Sequence, residues 1–148
     1  MTQPVYQKIL VPVDGSKNSF KALNHAITLA DSLGAEIGIL FVLVLAKQLY
    51  AYSQINTSYI SDTVLDEIEE FGKKTLKEAR ELVPANIPVE TFLEIGSPVE
   101  IIPDFAADNN YNLIIIGSRG LGTIKGLILG SVSAYVVANA KCPVLVVK

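Results

Sequence analysis

The chain has 148 residues, of which 50% are hydrophobic and 18% are charged, and its formal net charge is −3. This composition excludes an intrinsically disordered chain, and the acidic balance argues against nucleic acid or an anionic membrane surface as the main partner. The length predicts a single domain over residues 1–148 that can bury most of its apolar surface.

Three further features predict a cytoplasmic protein. The one cysteine, Cys142, cannot form an intrachain disulfide and suits a reducing compartment. The start of the chain lacks a positively charged segment followed by an apolar core, so we expect no signal peptide. The longest apolar stretch, Ile37 to Ala46, is too short to span a bilayer, so no membrane insertion is expected.

The first third of the chain alternates strand and helix patterns. Ile9 to Val13 is a short apolar run that predicts the first strand. The next segment has apolar residues at three- and four-residue steps, which predicts an amphipathic helix with Ser16 as its N-cap and Gly34 as its stop. Ile37 to Leu45 is almost continuously apolar, as expected for a central strand that is covered on both faces.

The middle of the chain begins with an irregular segment. Residues 46–61 have no strong periodicity and carry several tyrosines, which predicts a long connection that forms either a lid over a ligand or a surface for a partner. Asp62 to Val83 is charged with a buried apolar stripe and predicts a helix. Val89 to Leu93 predicts the third strand.

The remaining elements continue the alternation. Ser97-Pro98-Val99-Glu100 predicts a capping box with proline at the first helical position, and Pro103 is expected to kink or delay that helix. Leu113 to Ile116 and Val144 to Val147 predict the fourth and fifth strands. Strands that alternate with helices predict an α/β fold with a parallel sheet, here of five strands and four helices.

A glycine-rich loop follows the fourth strand. Gly117 and Gly120 are separated by two residues, and nine residues later Gly130-Ser131 opens a helical pattern. Glycines let a backbone approach a ligand closely, and the N–H groups at a helix start bind phosphate. The spacing matches neither GxxxxGK[ST] nor GxGxxG. The pattern therefore predicts a phosphate site, with tight turns alone as the alternative use of these glycines.

This spacing, G-x-x-G, nine residues, G-[ST], resembles the fingerprint of the ATP-binding branch of the universal stress protein family. Lys8 to Ser16 resembles the opening strand and turn of that family, and Cys142 to Val147 resembles its closing strand, so the resemblance covers nearly the whole chain. It implies a Rossmann-like open sheet of order 3-2-1-4-5 with helices on both faces. Open α/β sheets bind ligands where the strand order reverses, here between Asp14 and Gly117.

The resemblance also implies the residues of an adenine nucleotide site. ATP would bind with Mg²⁺ or Mn²⁺ carried by its phosphates, and neither catalytic residues nor protein ligands for a metal are expected. The base and ribose would contact Pro12, Val13, Asp14, Val42 and Ile116, and the phosphates would contact Gly117, Arg119, Gly120, Gly130, Ser131, Val132 and Ser133.

Three of these assignments carry alternatives or departures from the family pattern. Asp14 suits ribose hydroxyl groups, but it equally suits a cap for the following helix. Arg119 and Lys125 either neutralise phosphate charge or are solvated loop residues. Phe41 and Val44 stand where the family usually has a histidine and an acidic residue beside the adenine-reading backbone of Val42.

Three functions follow from the sequence. The first, which the resemblance implies, is a nucleotide-dependent regulatory switch or sensor in the stress response that acts on an unknown protein partner. The resemblance also implies a homodimer paired through Val144 to Val147, which would cover an apolar edge strand. The second is slow ATP hydrolysis or phosphoryl transfer, against which stand the missing P-loop lysine and the lack of a second carboxylate near Asp14. The third is a protein–protein interaction module that binds no nucleotide. Because an adenine pocket with a phosphate loop can bind ATP, ADP, AMP and cyclic AMP alike, the sequence does not distinguish among these nucleotides.

Overall fold

A computed structural model describes residues 5–44, 62–121 and 128–148, and for residues 62–64 it describes the backbone alone. The predicted connection over residues 46–61 lies outside the described residues, as do Gly122, Lys125 and Gly126. In chain order the described elements are β1 (Lys8–Pro12), α1 (Lys17–Leu33), β2 (Glu36–Leu43), α2 (Asp62–Leu82), β3 (Val89–Ile95), α3 (Pro98–Asp108), β4 (Leu113–Gly117), α4 (Ser131–Asn139) and β5 (Val144–Val147).

The five strands form one sheet of order β3-β2-β1-β4-β5, and every neighbouring pair is parallel. The register places Pro12 opposite Leu40, and Gly117 opposite Val147. The predicted fold class and strand order are therefore confirmed. The order reverses between β1 and β4, so a crevice opens between the carboxyl ends of these two central strands.

Helices cover both faces of the sheet. On one face α1 and α2 contribute Leu23 and Leu76 to a core that includes Ile39. On the other face α3 and α4 contribute Ile102 and Val136 to a second core that includes Leu40. Successive residues of a strand point to opposite faces, so the apolar run of β2 supplies both cores.

The boundaries of α1 are those that the sequence predicts. The Ser16 hydroxyl accepts a hydrogen bond from the Ser19 N–H at 3.2 Å, which caps the first turn. Gly34 ends the helix with φ of 68°, a left-handed conformation that glycine adopts without a steric penalty. Elsewhere the predicted ends of strands and helices shift by one or two residues, as at β3, which continues to Ile95.

Two details of α3 differ from the prediction. Ser97 is the N-cap, but its side chain makes no capping hydrogen bond, because the Glu100 N–H donates to the Ser97 carbonyl oxygen at 3.1 Å. Pro103 does not delay the helix, which already begins at Pro98 and continues to Asp108. Pro103 is buried beside Ile102, so packing against the sheet supports the helix through the proline.

Candidate functional site

The crevice between β1 and β4 brings the two predicted halves of the site together. The Leu121 N–H donates to Oδ2 of Asp14 at 3.0 Å, which joins the glycine loop to the turn after β1. A Cβ atom at Gly120 would collide with the same carboxylate oxygen. Because β1 leads to α1 on one face and β4 leads to α4 on the other, both helices begin beside this crevice.

Asp14 is half-buried, and both of its carboxylate oxygens accept hydrogen bonds. Oδ1 accepts from the Ser16 N–H at 2.9 Å, and Oδ2 accepts from Leu121. The N-cap of α1 is Ser16, so Asp14 shapes the turn that precedes the helix and does not cap it. Its position at the end of β1 leaves an acceptor-only group at the crevice, which suits hydroxyl donors and repels phosphate.

Asn18 contacts the glycine loop, although no sequence motif marks it as a site residue. Its Oδ1 accepts from the Arg119 N–H at 2.7 Å, and its Nδ2 donates to the Val147 carbonyl oxygen at 3.1 Å. A Cβ atom at Gly117 would lie 2.7 Å from that Oδ1. Gly117 and Gly120 thus have packing reasons to be glycine, in addition to any contact with a ligand.

Among the described residues, no side chain caps the start of α4. Gly130 is the N-cap with φ of −71°, and it makes no side-chain hydrogen bond to the first turn. The N–H groups of Ser131, Val132 and Ser133 are the first of the helix and therefore have no carbonyl partner one turn earlier. At the start of α1, in contrast, the Ser16 hydroxyl accepts from one of these N–H groups, that of Ser19. Of the two helix starts at the crevice, the one at α4 therefore offers more N–H donors to an anion.

The loop before α4 uses several of its own amides within the protein. The Ser118 N–H donates to the Val147 carbonyl oxygen at 2.8 Å, and the Gly130 N–H donates to the Ser118 carbonyl oxygen at 2.6 Å. The N–H groups of Arg119 and Leu121 bond to the side chains of Asn18 and Asp14. Donors for an anion are therefore concentrated at the start of α4, and not along the segment from Gly117 to Leu121.

The hydroxyl of Ser133 is hydrogen-bonded to the backbone of the protein. It is buried, and its one proton is shared between the carbonyl oxygens of Ser118 at 2.9 Å and Gly130 at 3.1 Å. Its backbone N–H still faces the start of the helix with those of Ser131 and Val132. Ser131 is exposed, so its hydroxyl is accessible from solvent, unlike that of Ser133.

The apolar part of the predicted site lies on one face of the sheet. Val42 and Val132 are partly buried, Ile116 is buried, and all three pack in the core beneath α3 and α4. The side chain of Val13 packs in the core on the opposite face and is only 3% exposed, so it is separated from these three residues by the sheet. Pro12 and Val13 are consecutive, and their side chains point to opposite faces for that reason.

Phe41 also belongs to the opposite face. Its ring packs edge-on against Phe71 of α2, with the centroids 5.9 Å apart. This contact places Phe41 in the core beneath α1 and α2, away from Val42 and Ile116. The phenylalanine thus fills core space and does not line the crevice.

A second concave surface has the wrong charge for a phosphate ligand. It is an open groove of about 590 Å³ between β3 and α3, and four carboxylates surround its phenylalanine floor. Like charges would repel a nucleotide there. The groove is lined by Phe92, Glu94, Glu100, Ile101, Asp104, Phe105, Asp108 and Asn109.

The described part of the chain holds neither a metal-binding cluster nor a membrane-spanning helix. No three His, Cys, Asp or Glu side chains among residues 5–44, 65–121 and 128–148 come together as a set that could hold a metal ion. None of the four described helices is long and apolar enough to cross a membrane.

A model of the universal stress protein family matches residues 5–148 of this sequence. The chain belongs to the universal stress protein family. Universal stress protein YxiE of Bacillus subtilis is 35% identical over 149 residues, which cover 97% of this chain and 100% of that protein. Universal stress protein MJ0531 of Methanocaldococcus jannaschii is 34% identical over 144 residues, which cover 97% of this chain and 83% of that protein.

Solved structures of universal stress proteins share the fold described above. A crystal structure of a universal stress protein in complex with cAMP aligns with a TM-score of 0.71 at 29% identity, over 97% of this chain and 98% of that one. The family that the glycine spacing and the two flanking strands indicated is therefore confirmed.

Proposed function

We propose that this universal stress protein binds ATP between β1 and β4 and acts as a regulatory switch or sensor in the stress response. The observation that carries the proposal is the start of α4, where Gly130 supplies no side-chain cap and is hydrogen-bonded to Ser118 just after the end of β4, on the loop that also contacts Asp14. The similar family member that was solved with cAMP supports an adenine nucleotide as the ligand class.

The phosphates would be held by the first turn of α4. Three N–H groups, those of Ser131, Val132 and Ser133, point out of the helix start, and the helix dipole stabilises an anion there by about 0.3–1 kcal/mol. Gly130 has no side chain that would compete for these donors. Arg119 is exposed on the same loop and would neutralise part of the phosphate charge, while Mg²⁺ or Mn²⁺ would be carried by the phosphates themselves.

The nucleoside would lie over β1 and β4. Val42 and Ile116 share one apolar face with Val132, which suits one side of an adenine ring. Asp14 would accept hydrogen bonds from the ribose hydroxyl groups, because an ionised carboxylate only accepts. A ribose hydroxyl would then share Oδ2 with the Leu121 N–H, so ligand binding would act on the glycine loop directly.

The proposal includes a single cytoplasmic domain that pairs with a second copy through β5. This strand is at one edge of the described sheet, and Leu145 on it is 38% exposed. Tyr135 and Val137 on the adjacent α4 add exposed apolar surface. Antiparallel pairing with the same strand of a second copy would cover this edge by a two-fold contact, and the dimer would present the switch to a regulatory partner.

A proline at the first residue of α4 tests the phosphate site. Ser131→Pro removes one N–H donor, while the extended conformation of Gly130, with ψ of 166°, is compatible with a following proline. Lys17→Pro is the matched control, because it makes the same change at the start of α1, where Ser16 already caps the helix. We expect Ser131→Pro to weaken ATP binding about tenfold and Lys17→Pro to change it by less than about threefold, as measured by calorimetry.

Two results would contradict the proposal. If the wild-type protein binds none of ATP, ADP, AMP and cyclic AMP, with or without magnesium, the interaction module without nucleotide becomes the better account. If the wild-type protein binds ATP and Ser131→Pro binds it equally well, the phosphates do not lie at the start of α4.

A further inference from the structure

The side chain of Asn18 connects three parts of the chain that are distant in sequence. It belongs to the first turn of α1, and it reaches the end of β4 and the end of β5. Oδ1 accepts from the Arg119 N–H at 2.7 Å and lies 3.4 Å from the Ser118 hydroxyl, which also donates to it. Nδ2 donates to the Val147 carbonyl oxygen at 3.1 Å.

The loop backbone beside Asn18 leads directly to the proposed phosphate donors. The Ser118 carbonyl oxygen accepts from the Gly130 N–H at 2.6 Å and from the Ser133 hydroxyl at 2.9 Å. The start of α4 is thus hydrogen-bonded to Ser118, and Ser118 with its neighbour Arg119 is hydrogen-bonded to Asn18. A shift of this short backbone segment would move the first turn of α4.

The end of β5 fixes the other side of the same segment. The Val147 carbonyl oxygen accepts from both the Ser118 N–H, at 2.8 Å, and Asn18 Nδ2. Gly117 allows the close approach, since a Cβ atom there would lie 3.0 Å from the Asn18 carbonyl oxygen and 2.7 Å from Oδ1. Asn18 therefore fills the space that a side chain at position 117 would occupy.

We infer that Asn18 is a positioning residue, which holds Ser118 and Arg119 against the end of β5 so that the start of α4 faces the phosphates. The effect on phosphate binding rests on the proposed function. The hydrogen bonds of Asn18 do not, because they are present in the protein without a nucleotide. A residue that acts in this way influences the phosphate-dependent part of binding and leaves the nucleoside-dependent part unchanged.

The first test uses the protein without nucleotide. Amide hydrogen exchange is measured by NMR for Asn18→Ala, for Asn18→Asp and for Asn24→Ala, an exposed asparagine of the same helix that serves as control. We expect the Arg119 amide to exchange about tenfold faster in Asn18→Ala and to keep its protection in Asn24→Ala. Asn18→Asp retains the acceptor for Arg119 but loses the donor to Val147, so an intermediate exchange rate is expected there. Unchanged protection of Arg119 in Asn18→Ala would overturn the inference.

The second test compares ATP with adenosine, which lacks phosphate. We expect Asn18→Ala to weaken ATP binding about 3- to 10-fold and adenosine binding by less than about twofold, with Asn24→Ala close to wild type for both. Equal losses for ATP and adenosine would overturn the positioning role, since general destabilisation affects both ligands. If wild-type protein binds neither, the proposed function fails, and the exchange experiment alone decides whether Asn18 sets the loop.

Discussion

Oδ2 of Asp14 accepts a hydrogen bond from the Leu121 N–H at 3.0 Å, although these residues are 107 positions apart in the sequence. The other carboxylate oxygen accepts from Ser16 at 2.9 Å. One half-buried side chain therefore joins the turn after β1 to the loop after β4. A ligand hydroxyl that bonds to Asp14 would alter the hydrogen bonding of both segments, which is a direct route from binding to a change in the loop.

Replacement of Asp14 by alanine tests the ribose contact. We expect Asp14→Ala to weaken adenosine binding about tenfold or more, because a hydrogen bond to a charged acceptor is lost. Binding of 2′,3′-dideoxyadenosine, which lacks both hydroxyl groups, should change by less than about threefold. Asp104→Ala, at an exposed position of α3, serves as control. Equal losses for both nucleosides, measured by calorimetry, would show that Asp14 acts only by holding the loop.

The close packing of Gly38 against Tyr111 predicts a large effect on stability. A Cβ atom at Gly38 would collide with the hydroxyl and ring of Tyr111, which is buried and stacks near Phe105. We expect Gly38→Ala to lower the free energy of unfolding in urea by about 2–3 kcal/mol.

Two further variants distinguish the steric clash with Tyr111 from the loss of stability that any glycine-to-alanine change could cause. Adding Tyr111→Leu to Gly38→Ala should cost less than the sum of the two single changes, because the leucine removes the clash. Gly34→Ala should cost only about 1 kcal/mol, since its φ is 68° but nothing lies within 4 Å of the added carbon. Simple additivity of Gly38→Ala and Tyr111→Leu would contradict the packing account.

Tyr111 also predicts a loss of stability at high pH. Burial, with smaller contributions from Glu90 and Glu36, raises the pKa of Tyr111 from 10.0 to about 12. A raised pKa in the folded state means that the stabilisation is fully present below pH 10 and is lost as the pH rises from about 10 to 12.

The measurement compares wild-type protein with Tyr111→Phe, which does not titrate at this position. We expect the wild type to lose up to about 2 kcal/mol more than the variant across this pH range in urea unfolding. Parallel pH profiles for the two proteins would contradict a buried, raised-pKa phenol.

The proposed dimer is tested by a charge on the edge strand. Leu145 lies on β5 and is 38% exposed, and a lysine there would bring two like charges close together in an antiparallel pair of these short strands. We expect Leu145→Lys to be a monomer in analytical ultracentrifugation at concentrations where wild type is a dimer. Leu82→Lys, at a 50% exposed position of α2, should leave the dimer intact. A dimer that survives Leu145→Lys would place the interface elsewhere.

Local patterns predicted most of the fold, because each element carries its own signal. The Ser16 cap and the left-handed Gly34 bound α1 as expected, and continuous apolar strands produced a sheet covered on both faces. The order of the strands came from the resemblance to a family, and not from periodicity. The predicted capping hydrogen bond to the Ser97 hydroxyl is wrong, because the Glu100 N–H donates to the backbone carbonyl oxygen of Ser97 and not to its side chain.

The site was harder to predict, since its hydrogen bonds connect distant segments. Asn18 is a polar residue in the first turn of a helix, which on its own is typical of a solvated position. Its partners lie 101 and 129 positions away, and only the fold reveals them. The face of the sheet to which Val13 points depends on the position of β1 in the sheet. The apolar sequence of β1 alone therefore could not show whether this side chain packs in the core or lines the crevice.

Titration of the isotope-labelled protein with ATP and magnesium, followed by amide chemical shifts, tests the central claim most directly. The account predicts saturable shifts that are largest for Ser131 to Ser133 and for Asp14, with small shifts in the groove between β3 and α3. No saturable shift at millimolar ATP would contradict a nucleotide-binding function. Shifts confined to that groove, around Phe92 and Asp104, would contradict the proposed site.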